Sequence, residues 1–521
     1  MLSPSPDSAF TAKTLATTGD SFGSYRPPGI MDGMGAWNWN ENTVRLFVNH
    51  ELDSFEGYPW NLANGTTLRG ARISWFDIDK QTQAILGAGN AIKEIHDRRG
   101  EPVTRAEQVS EIWDSSLLDW LQGNDDHGLN NLCSAQAYKA GEFGFINDLL
   151  FTHEEVSALG NHPHGGSVWV LDVHMGTLWA LPELGRGAWE NVAAVKTPDQ
   201  DEEDGHIALL IADDFDAGAA LLYLWIGKKL PGGNLIERNG LAQGQLYAWE
   251  SSKGDRSPED WNGTGTERAG IFKPLATRQP DKADQPGYDR DGYLNDPLLR
   301  AQAKAAGAFM LSRPEDLHTN PANRLQVALC STGQGNVFPS DDWGTVYLIE
   351  MQFDLNQDHH NNKQLQPSAN IKILHDADDF GDHGIRSPDN IVWARDGKLY
   401  IHEDKATKLN EFGGETRRES STWCIDPLKP DDFTLVATID RSVVLPPDAS
   451  DKRAGAFGAW ECCGLIDVSE LFTDSADELW LITAVQAHSI RGGSLGGRDN
   501  LVQGGQLVLM KRAETHPAEQ S

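Results

Sequence analysis

Several apolar segments of the chain end in acidic residues, three of them with a histidine just before the acid. The four ends are His50-Glu51, His153-Glu154-Glu155, Asp213-Asp214 and His402-Glu403-Asp404. Carboxylates that converge in a fold without a cation repel one another and raise one another's pKa values. Bound cations remove that cost, and carboxylate oxygens favour Ca²⁺, Mg²⁺, Mn²⁺ or Fe³⁺ over copper or zinc. The pattern therefore predicts a site for hard metal ions. Its candidate ligands at these ends are Glu51, His153, Glu154, Asp213 and Glu403.

A second set of short segments precedes these ends along the chain and carries polar residues of its own. Its candidate metal ligands are Glu190, Glu315, Asp389 and Glu461. Cys133 lies near the start of one of these segments. A cysteine in such a place is more often a small core residue than a metal ligand. We expect both sets of residues to meet in one region of the fold.

Arg313 and His488 are the candidate catalytic residues. Arg313 lies two residues before Glu315, and the proline between them stiffens the turn. Its planar guanidinium either pairs with neighbouring carboxylates or clamps a phosphoryl group through two oxygens. His488 fits three roles equally well: a metal ligand, a proton carrier or a packed channel residue.

The elements that must position these residues are short strands. The 52 glycines and 25 prolines divide the chain into many brief apolar runs, which favours an all-β fold. One kind of strand, with a polar end, recurs at 45–53, 149–157, 208–216, 325–333, 398–406 and 479–488. Each copy is preceded and followed by further strand-like segments. Such a repeat is typical of a β-propeller of about six blades, in which equivalent polar strand ends converge on one mouth of the channel.

The domain organisation follows from this repeat. We predict a flexible N-terminal segment over 1–25, a single β-propeller catalytic domain over 26–512 and a flexible tail over 513–521. The long insertions at 80–130 and 250–310 are expected to cover one face of the propeller.

Composition restricts the partners. With 44 basic and 77 acidic residues, the formal charge of −33 argues against a nucleic acid or an anionic membrane as partner. No apolar run reaches the roughly 18 residues that span a bilayer, and the N-terminus lacks the features of a signal peptide. We expect a monomer that acts on a small molecule. It is periplasmic or extracellular if a signal peptide has been removed, and cytoplasmic otherwise.

Several short motifs, in order along most of the chain, resemble those of the PhoX-type alkaline phosphatase family. They are Asn-His-Glu at 49–51, Asn-Leu-Cys-Ser at 131–134, Thr-His-Glu-Glu at 152–155, Gly-Arg at 185–186 before Glu190, Ala-Asp-Asp at 212–214, Arg-Pro-Glu-Asp at 313–316, Pro-Asp-Asn at 388–390, His-Glu-Asp at 402–404, Glu-Cys-Cys-Gly at 461–464 and Gln-Ala-His at 486–488. The resemblance implies a six-bladed propeller with a mixed iron and calcium cluster that acts on phosphate esters. It also implies metal ligation by Glu154, Glu190, Glu315 and Asp389 and a phosphate contact from Arg313.

One departure from the family's pattern bears on the metals. Where the family usually has Cys-Glu-Glu, this chain has His153-Glu154-Glu155. The departure puts thiolate-ligated Fe³⁺ in doubt, because imidazole at that place also suits Mn²⁺ or Fe²⁺. We therefore predict calcium together with a binuclear centre of iron or manganese as cofactors.

The function predicted from the sequence is that of a metal-dependent, alkaline phosphatase-like phosphoesterase. The chain lacks a Gly-x-Ser-x-Gly elbow, a Walker loop and a dinucleotide fingerprint after a strand, which disfavours a serine hydrolase or an ATPase. The alternatives are a phosphotriesterase or phosphodiesterase on the same fold, a calcium-dependent lactonase-type propeller, and a calcium-stabilised binding propeller without catalysis.

Overall fold

Antiparallel strands make up most of the computed structural model. It describes residues 1–111, 113–114, 119–120, 127–160, 162–357, 363–406, 411–496 and 500–512. Within these ranges the α-helices are Leu235–Arg238, Asp296–Ala305 and Ser469–Phe472, and the 3₁₀ turns are Ala106–Gln108, Glu142–Gly144, Pro182–Leu184, Pro280–Lys282, Ala377–Asp379, Gly381–His383 and Gly493–Leu495. The predicted tail at 513–521 lies outside the described residues.

The strands of the described residues form six antiparallel groups of four, named here group 1 to group 6. From first strand to fourth, group 1 is Met31–Asn40, Thr43–His50, Arg72–Asp79 and Ile85–Asn90. Group 2 is Leu132–Tyr138, Leu149–Glu154, Val168–Asp172 and Thr177–Ala180. Group 3 is Trp189–Val195, His206–Asp213, Ala220–Lys228 and Gly244–Ser251. Group 4 is Pro314–Thr319, Gln326–Ser331, Thr345–Gln357 and Lys363–Asp376. Group 5 is Pro388–Trp393, Leu399–Glu403, Ser421–Asp426 and Lys429–Ile439. Group 6 is Glu461–Asp467, Leu479–Ala487, Gly504–Arg512 and Phe10–Thr17.

Other strands extend or connect these groups. Glu94–His96 adds in parallel to group 2, Glu267–Leu275 joins the fourth strands of groups 3 and 4, and Leu2–Pro4 adds to group 5. The remaining short strands are Trp60–Asn61, Thr67–Gly70, Trp113–Asp114, Asp119–Trp120, Gly128–Leu129, Met310–Leu311, Ser450–Asp451 and Ile490–Arg491.

The first strands of successive groups contact one another, and the first strand of group 6 contacts that of group 1. These strands therefore form a ring around a central channel. The core is arranged in the same way, because each apolar cluster lies between two neighbouring groups. Between groups 2 and 3, for example, Phe151 and Val168 pack in one cluster with Trp189 and Tyr223. The all-β propeller class is confirmed; the number of blades stays a prediction, which this ring of strands supports.

The N-terminal strand changes one expectation. Residues 1–25 were predicted to be flexible, but Phe10–Thr17 pairs antiparallel with Gly504–Arg512 as the last strand of group 6. Phe10 and Ala16, near the two ends of this strand, are buried, and residues 11–14 between them are exposed. A strand from near the N-terminus is thus hydrogen-bonded to the last described strand, which closes the ring.

Among the described residues, the structure contains no helix with the length and apolar character needed to cross a membrane.

Candidate metal centre

The first strands of the six groups present one side chain each to the mouth of the channel. These residues are Asp32, Cys133, Glu190, Glu315, Asp389 and Glu461. Five of them directly follow a residue that pairs with the last residue of the second strand, as in Trp189↔Asp213 and Pro388↔Glu403. Each first strand then shifts register through an irregularity of the bulge type. Bulges bend a strand and re-aim its side chains, so the repeat directs equivalent residues to a common centre.

A second layer of acids comes from the residues that follow the second strands. They are Glu51, Glu155, Asp214 and Asp404. Each directly follows the last residue of a second strand, and successive residues of an extended chain point to opposite sides. The residue before each of them therefore points away from the centre.

The two layers meet in groups of side chains that can hold cations. In each group the potential ligand atoms lie within 4.8 Å of one another. The groups are Asp32, Glu461 and Cys463; Asp32, Glu51 and Cys133; Cys133, Glu155 and Glu190; Glu190, Glu315 and Asp389; and Asp389, Asp404 and Glu461. Because successive groups share residues, they form one continuous cluster, which we call the carboxylate cluster.

The electrostatics of the carboxylate cluster favour cations. Burial, followed by the charges of neighbouring carboxylates, raises the pKa values of Asp32, Glu190 and Asp389 well above the usual range. Neither carboxylate oxygen of Glu190 has a hydrogen-bond partner among the described residues, and the same holds for Asp32 Oδ1. Buried oxygens without donors are costly unless a cation or protons satisfy them. The residues present therefore fit a set of bound hard metal ions.

Arg313 lies at the rim of the carboxylate cluster. Its Nε and Nη2 donate to Asp214 at 3.1 and 2.7 Å, and its Nη1 donates to Asp404 at 3.1 Å. Nη2 also lies 3.1 Å from Glu315. The residue has a φ of +58°, a left-handed conformation that is strained for a side chain of this size and common at functional sites. These contacts engage at most four of its five N–H groups, so a donor is left for a phosphoryl oxygen.

His488 and Lys405 meet at Glu461, farther along the same rim. His488 Nε2 lies 2.9 Å from Glu461 Oε2, and Lys405 Nζ lies 3.4 Å from the same oxygen. Burial alone would raise the pKa of Glu461, but Lys405 and His488 lower it to about 2. Gln503 approaches the other ring nitrogen of His488 at 3.1 Å and holds the ring in place.

A polar layer closes the channel behind the carboxylate cluster. Asp316 Oδ1 accepts hydrogen bonds from Ser134 Oγ and, at 2.6 Å, from Asn191 Nδ2. Its other oxygen faces Asn390 Nδ2 at 3.4 Å. Each of these residues directly follows a cluster residue in its strand, so the layer ties the ring of first strands together from within.

The structure places three of the acids predicted as metal ligands outside the carboxylate cluster. Glu154, Asp213 and Glu403 lie behind the carboxylate cluster, where each is satisfied by protein donors. Asp213 pairs with Arg300 through two contacts of 2.5 and 2.7 Å. Glu154 accepts from the Trp169 indole at 3.0 Å. In each case the adjacent acid points to the centre instead.

His153 also lies outside the carboxylate cluster. Its Nδ1 lies 3.2 Å from the carbonyl oxygen of Ser134, and it belongs to none of the cation-binding groups found among the described residues. Burial lowers its pKa to about 3, which keeps the ring neutral. Cys133 lies in the carboxylate cluster, with its Sγ 3.5 Å from Asp32 Oδ2. A thiol is therefore present in the cluster, although it comes from a first strand.

The structure thus brings together Glu51, Glu190, Glu315, Asp389 and Glu461 among the predicted ligands, with Arg313 and His488 at the rim. Gln486, expected near the same mouth, donates to Asp32 and Glu51 at 2.8 and 2.9 Å. Sequence reasoning missed Asp32 entirely. Its segment, Met31-Asp32-Gly33, was available as a signal, because it occupies the same place in group 1 that Trp189-Glu190-Asn191 occupies in group 3.

Comparison with known proteins agrees with this geometry. Residues 175–425, just under half of the chain, match the family described as alkaline phosphatase PhoX. The structure is similar to Pseudomonas fluorescens PhoX in complex with vanadate, a transition state analogue. The TM-score is 0.59 at 16% identity, and the match covers 98% of this chain and 96% of the other. No protein of curated function matches the sequence.

A second solved structure is similar only in part. It is the soluble aldose sugar dehydrogenase from Escherichia coli in the apo form, with a TM-score of 0.22 at 12% identity over 68% of this chain and 96% of the other. A similarity this low carries no argument about fold or function. The resemblance to the PhoX-type alkaline phosphatases that the sequence predicted is confirmed by the match over residues 175–425, and with it the class of the protein, a hydrolase that acts on phosphoric ester bonds.

Proposed function

We propose that this protein is a metal-dependent phosphomonoesterase whose active site is the carboxylate cluster. The observation that carries the proposal is the position of Arg313, whose side chain is 12% exposed, at the rim of a cluster in which three buried carboxylate oxygens have no hydrogen-bond donor among the described residues. Cations held by the cluster and a planar donor beside them suit a tetrahedral anion with several equivalent oxygens.

The residues that would hold the metal ions are Asp32, Glu51, Cys133, Glu155, Glu190, Glu315, Asp389, Asp404 and Glu461. Bound there, the ions supply Lewis-acid activation of a phosphoryl group and of water. The overlap of the cation-binding groups supports several ions close together. It gives less support to the single cation that a lactonase-type propeller needs.

The metals we propose are calcium with a binuclear centre of iron or manganese. Oxygen ligands from Glu51, Asp389 and Asp404 suit calcium, which accepts flexible coordination by carboxylates. Cys133 adds one softer ligand beside Glu155 and Glu190, and thiolate favours a transition metal over calcium at that point. In this proposal Cys133, rather than His153, favours the transition metal.

Arg313 and His488 have separate roles in this proposal. Arg313 donates its remaining N–H group to a phosphoryl oxygen and stabilises the charge that develops there in the transition state. His488 lies 2.9 Å from Glu461 at the open side of the site, where an imidazole can give a proton to the departing alcohol oxygen. Asp214 and Asp404 hold the guanidinium in orientation from two directions.

A defined experiment tests the proposal. The protein is purified, its metals are measured by elemental analysis, and hydrolysis of p-nitrophenyl phosphate is followed before and after verified metal removal. We expect at least two metal ions per chain and activity that metal removal abolishes. One bound cation with hydrolysis of a lactone, or full activity without metal, would contradict the proposal. Comparison with a phosphodiester and a phosphotriester tests the two alternatives on the same fold.

A further inference from the structure

Lys405 is placed at the mouth of the carboxylate cluster but has no part in the function described so far. It follows Asp404 directly, and its ammonium lies 3.6 Å from Asp404 Oδ1 and 3.4 Å from Glu461 Oε2. The Lys405 side chain is 50% exposed, whereas those of Asp404 and Glu461 are 5% and 4% exposed. The ammonium therefore lies on the solvent side of the cluster, where a substrate enters.

Lys405 completes a chain of alternating charges along the rim. Arg313 contacts Asp404, Asp404 contacts Lys405, Lys405 contacts Glu461, and Glu461 contacts His488. The backbone next to Lys405 is fixed, because the Ala406 N–H donates to the Gly458 carbonyl oxygen at 2.8 Å. Three donor side chains thus lie along one edge of the carboxylate cluster at positions set by their neighbours.

The carboxylates that Lys405 contacts belong to a group that can hold a cation, Asp389, Asp404 and Glu461. An ammonium and a metal ion repel each other, so cation binding there weakens the hold of these carboxylates on Lys405. Its flexible four-carbon stem lets the ammonium turn toward the solvent side of the cluster. There the nearest negative charge is that of an anionic substrate.

We propose that Lys405 is a substrate-binding residue that contacts a terminal phosphoryl oxygen and, with Arg313 and His488, selects dianionic phosphomonoesters over phosphodiesters. The inference rests on the proposed function and specifies its substrate class. A monoester carries two negative charges at alkaline pH, which match the two cations Arg313 and Lys405, while its leaving-group oxygen faces His488. A diester carries one negative charge, so one of the two cations has no counter-charge on it.

The test compares metal-loaded wild type with Lys405→Met, which removes the charge but keeps the length, and with Lys405→Arg, which keeps the charge. The matched control is Lys139→Met. The Lys139 side chain is 45% exposed and contacts Glu470 at 3.9 Å, and it lines a cavity with the channel-facing residues Gln136 and His318 at the other end of the first strands. Each variant is measured for kcat/KM on p-nitrophenyl phosphate and on bis(p-nitrophenyl) phosphate, for the Kd of inorganic phosphate and for metal content.

We expect Lys405→Met to lose about 10²-fold in kcat/KM on the monoester, the scale of one lost charged donor to the transition state. On the diester we expect less than about 5-fold, the scale of a weak exposed ion pair. The Kd of inorganic phosphate should rise about tenfold or more, corresponding to one lost charged contact. Metal content should stay at the wild-type value, and Lys405→Arg and Lys139→Met should resemble wild type.

Equal losses on both esters, an unchanged Kd for phosphate, or loss of metal in Lys405→Met would each overturn the inference. A Lys405 that only neutralises Asp404 and Glu461 would give equal losses, because it would act through the metals. If wild type hydrolyses neither ester, the proposed function fails, and the phosphate-binding measurement still decides whether Lys405 binds the anion.

Discussion

Substitution of two neighbouring acids at one strand end should have opposite effects on stability and on metal binding. Glu403 and Asp404 give the clearest case. Glu403 is fully buried and accepts from Arg386 through Nε at 3.0 Å and Nη2 at 2.7 Å. It also accepts from the Arg386 backbone N–H and the Trp423 indole, at 2.9 and 3.0 Å. Asp404, one residue later, belongs to the carboxylate cluster. We compare Glu403→Gln with Asp404→Asn.

The structure sets the size of each effect. Glu403→Gln leaves the buried guanidinium of Arg386 with Asp382 as its remaining carboxylate, at 2.9 Å. Breaking a buried ion pair costs about 3–5 kcal/mol, and the surviving contact places this case near the lower end. Asp404→Asn in EDTA should change the free energy of unfolding by less than about 1 kcal/mol, because relief from the charge of Glu461 offsets lost contacts with Arg313 and Lys405.

The assay is equilibrium urea unfolding in EDTA, together with metal content and turnover of the metal-loaded proteins. We expect Glu403→Gln to be less stable but to retain its metals, and Asp404→Asn to be as stable as wild type in EDTA but to lose metal and activity. Glu470→Gln, with a side chain that is 79% exposed, is the control for a lost charge. If Glu403→Gln loses metal at wild-type stability while Asp404→Asn keeps it, the assignment of inward and outward acids is wrong.

Four further predictions follow from the same cluster. Metal removal with EDTA should lower the melting temperature, because bound cations stabilise the native state and the buried acids repel one another once the cations are removed. An unchanged melting temperature after verified removal contradicts this. Arg313→Ala should keep its metals and lose roughly 10²–10³-fold in turnover, with incomplete rescue by Arg313→Lys, whereas Glu315→Gln should lose metal; full activity in Arg313→Ala makes the arginine a structural partner only. His153→Cys should leave metal content unchanged, and Cys133→Ser should shift it away from iron; the reverse result in elemental analysis restores His153 as a ligand. In EDTA the free energy of unfolding should fall as pH rises above the usual pKa of glutamate, because burial and neighbouring acids raise the pKa values of Glu190 and Glu315 so that the native state binds more protons than the unfolded chain; metal-loaded protein should show a weaker dependence, and equal slopes refute the assignment.

The repeat in the sequence was enough to predict the fold class, because each unit brings its own turns, apolar strands and polar end. The same repeat identified strand ends that would carry acids, and it identified Glu190, Glu315, Asp389 and Glu461 correctly as residues that meet. The N-terminal strand could not be predicted in this way. Its partner strand, Gly504–Arg512, lies at the other end of the chain, and only ring closure reveals the pairing.

The sequence by itself determined which residue types form the site. They are pairs of acids at equivalent strand ends, an arginine followed by a proline, and a cysteine beside them. Which acid of each pair faces the channel was decided by tertiary structure. Glu154 and Glu155 are chemically alike, and their composition and spacing do not distinguish them. Their directions are set by the last ladder pair of the second strand, Leu132↔Glu154, and by the register shift that follows it in the first strand. A register difference of one residue exchanges the inward and outward side chains, because side chains alternate along a strand. That choice is settled by how the neighbouring groups pack around the channel.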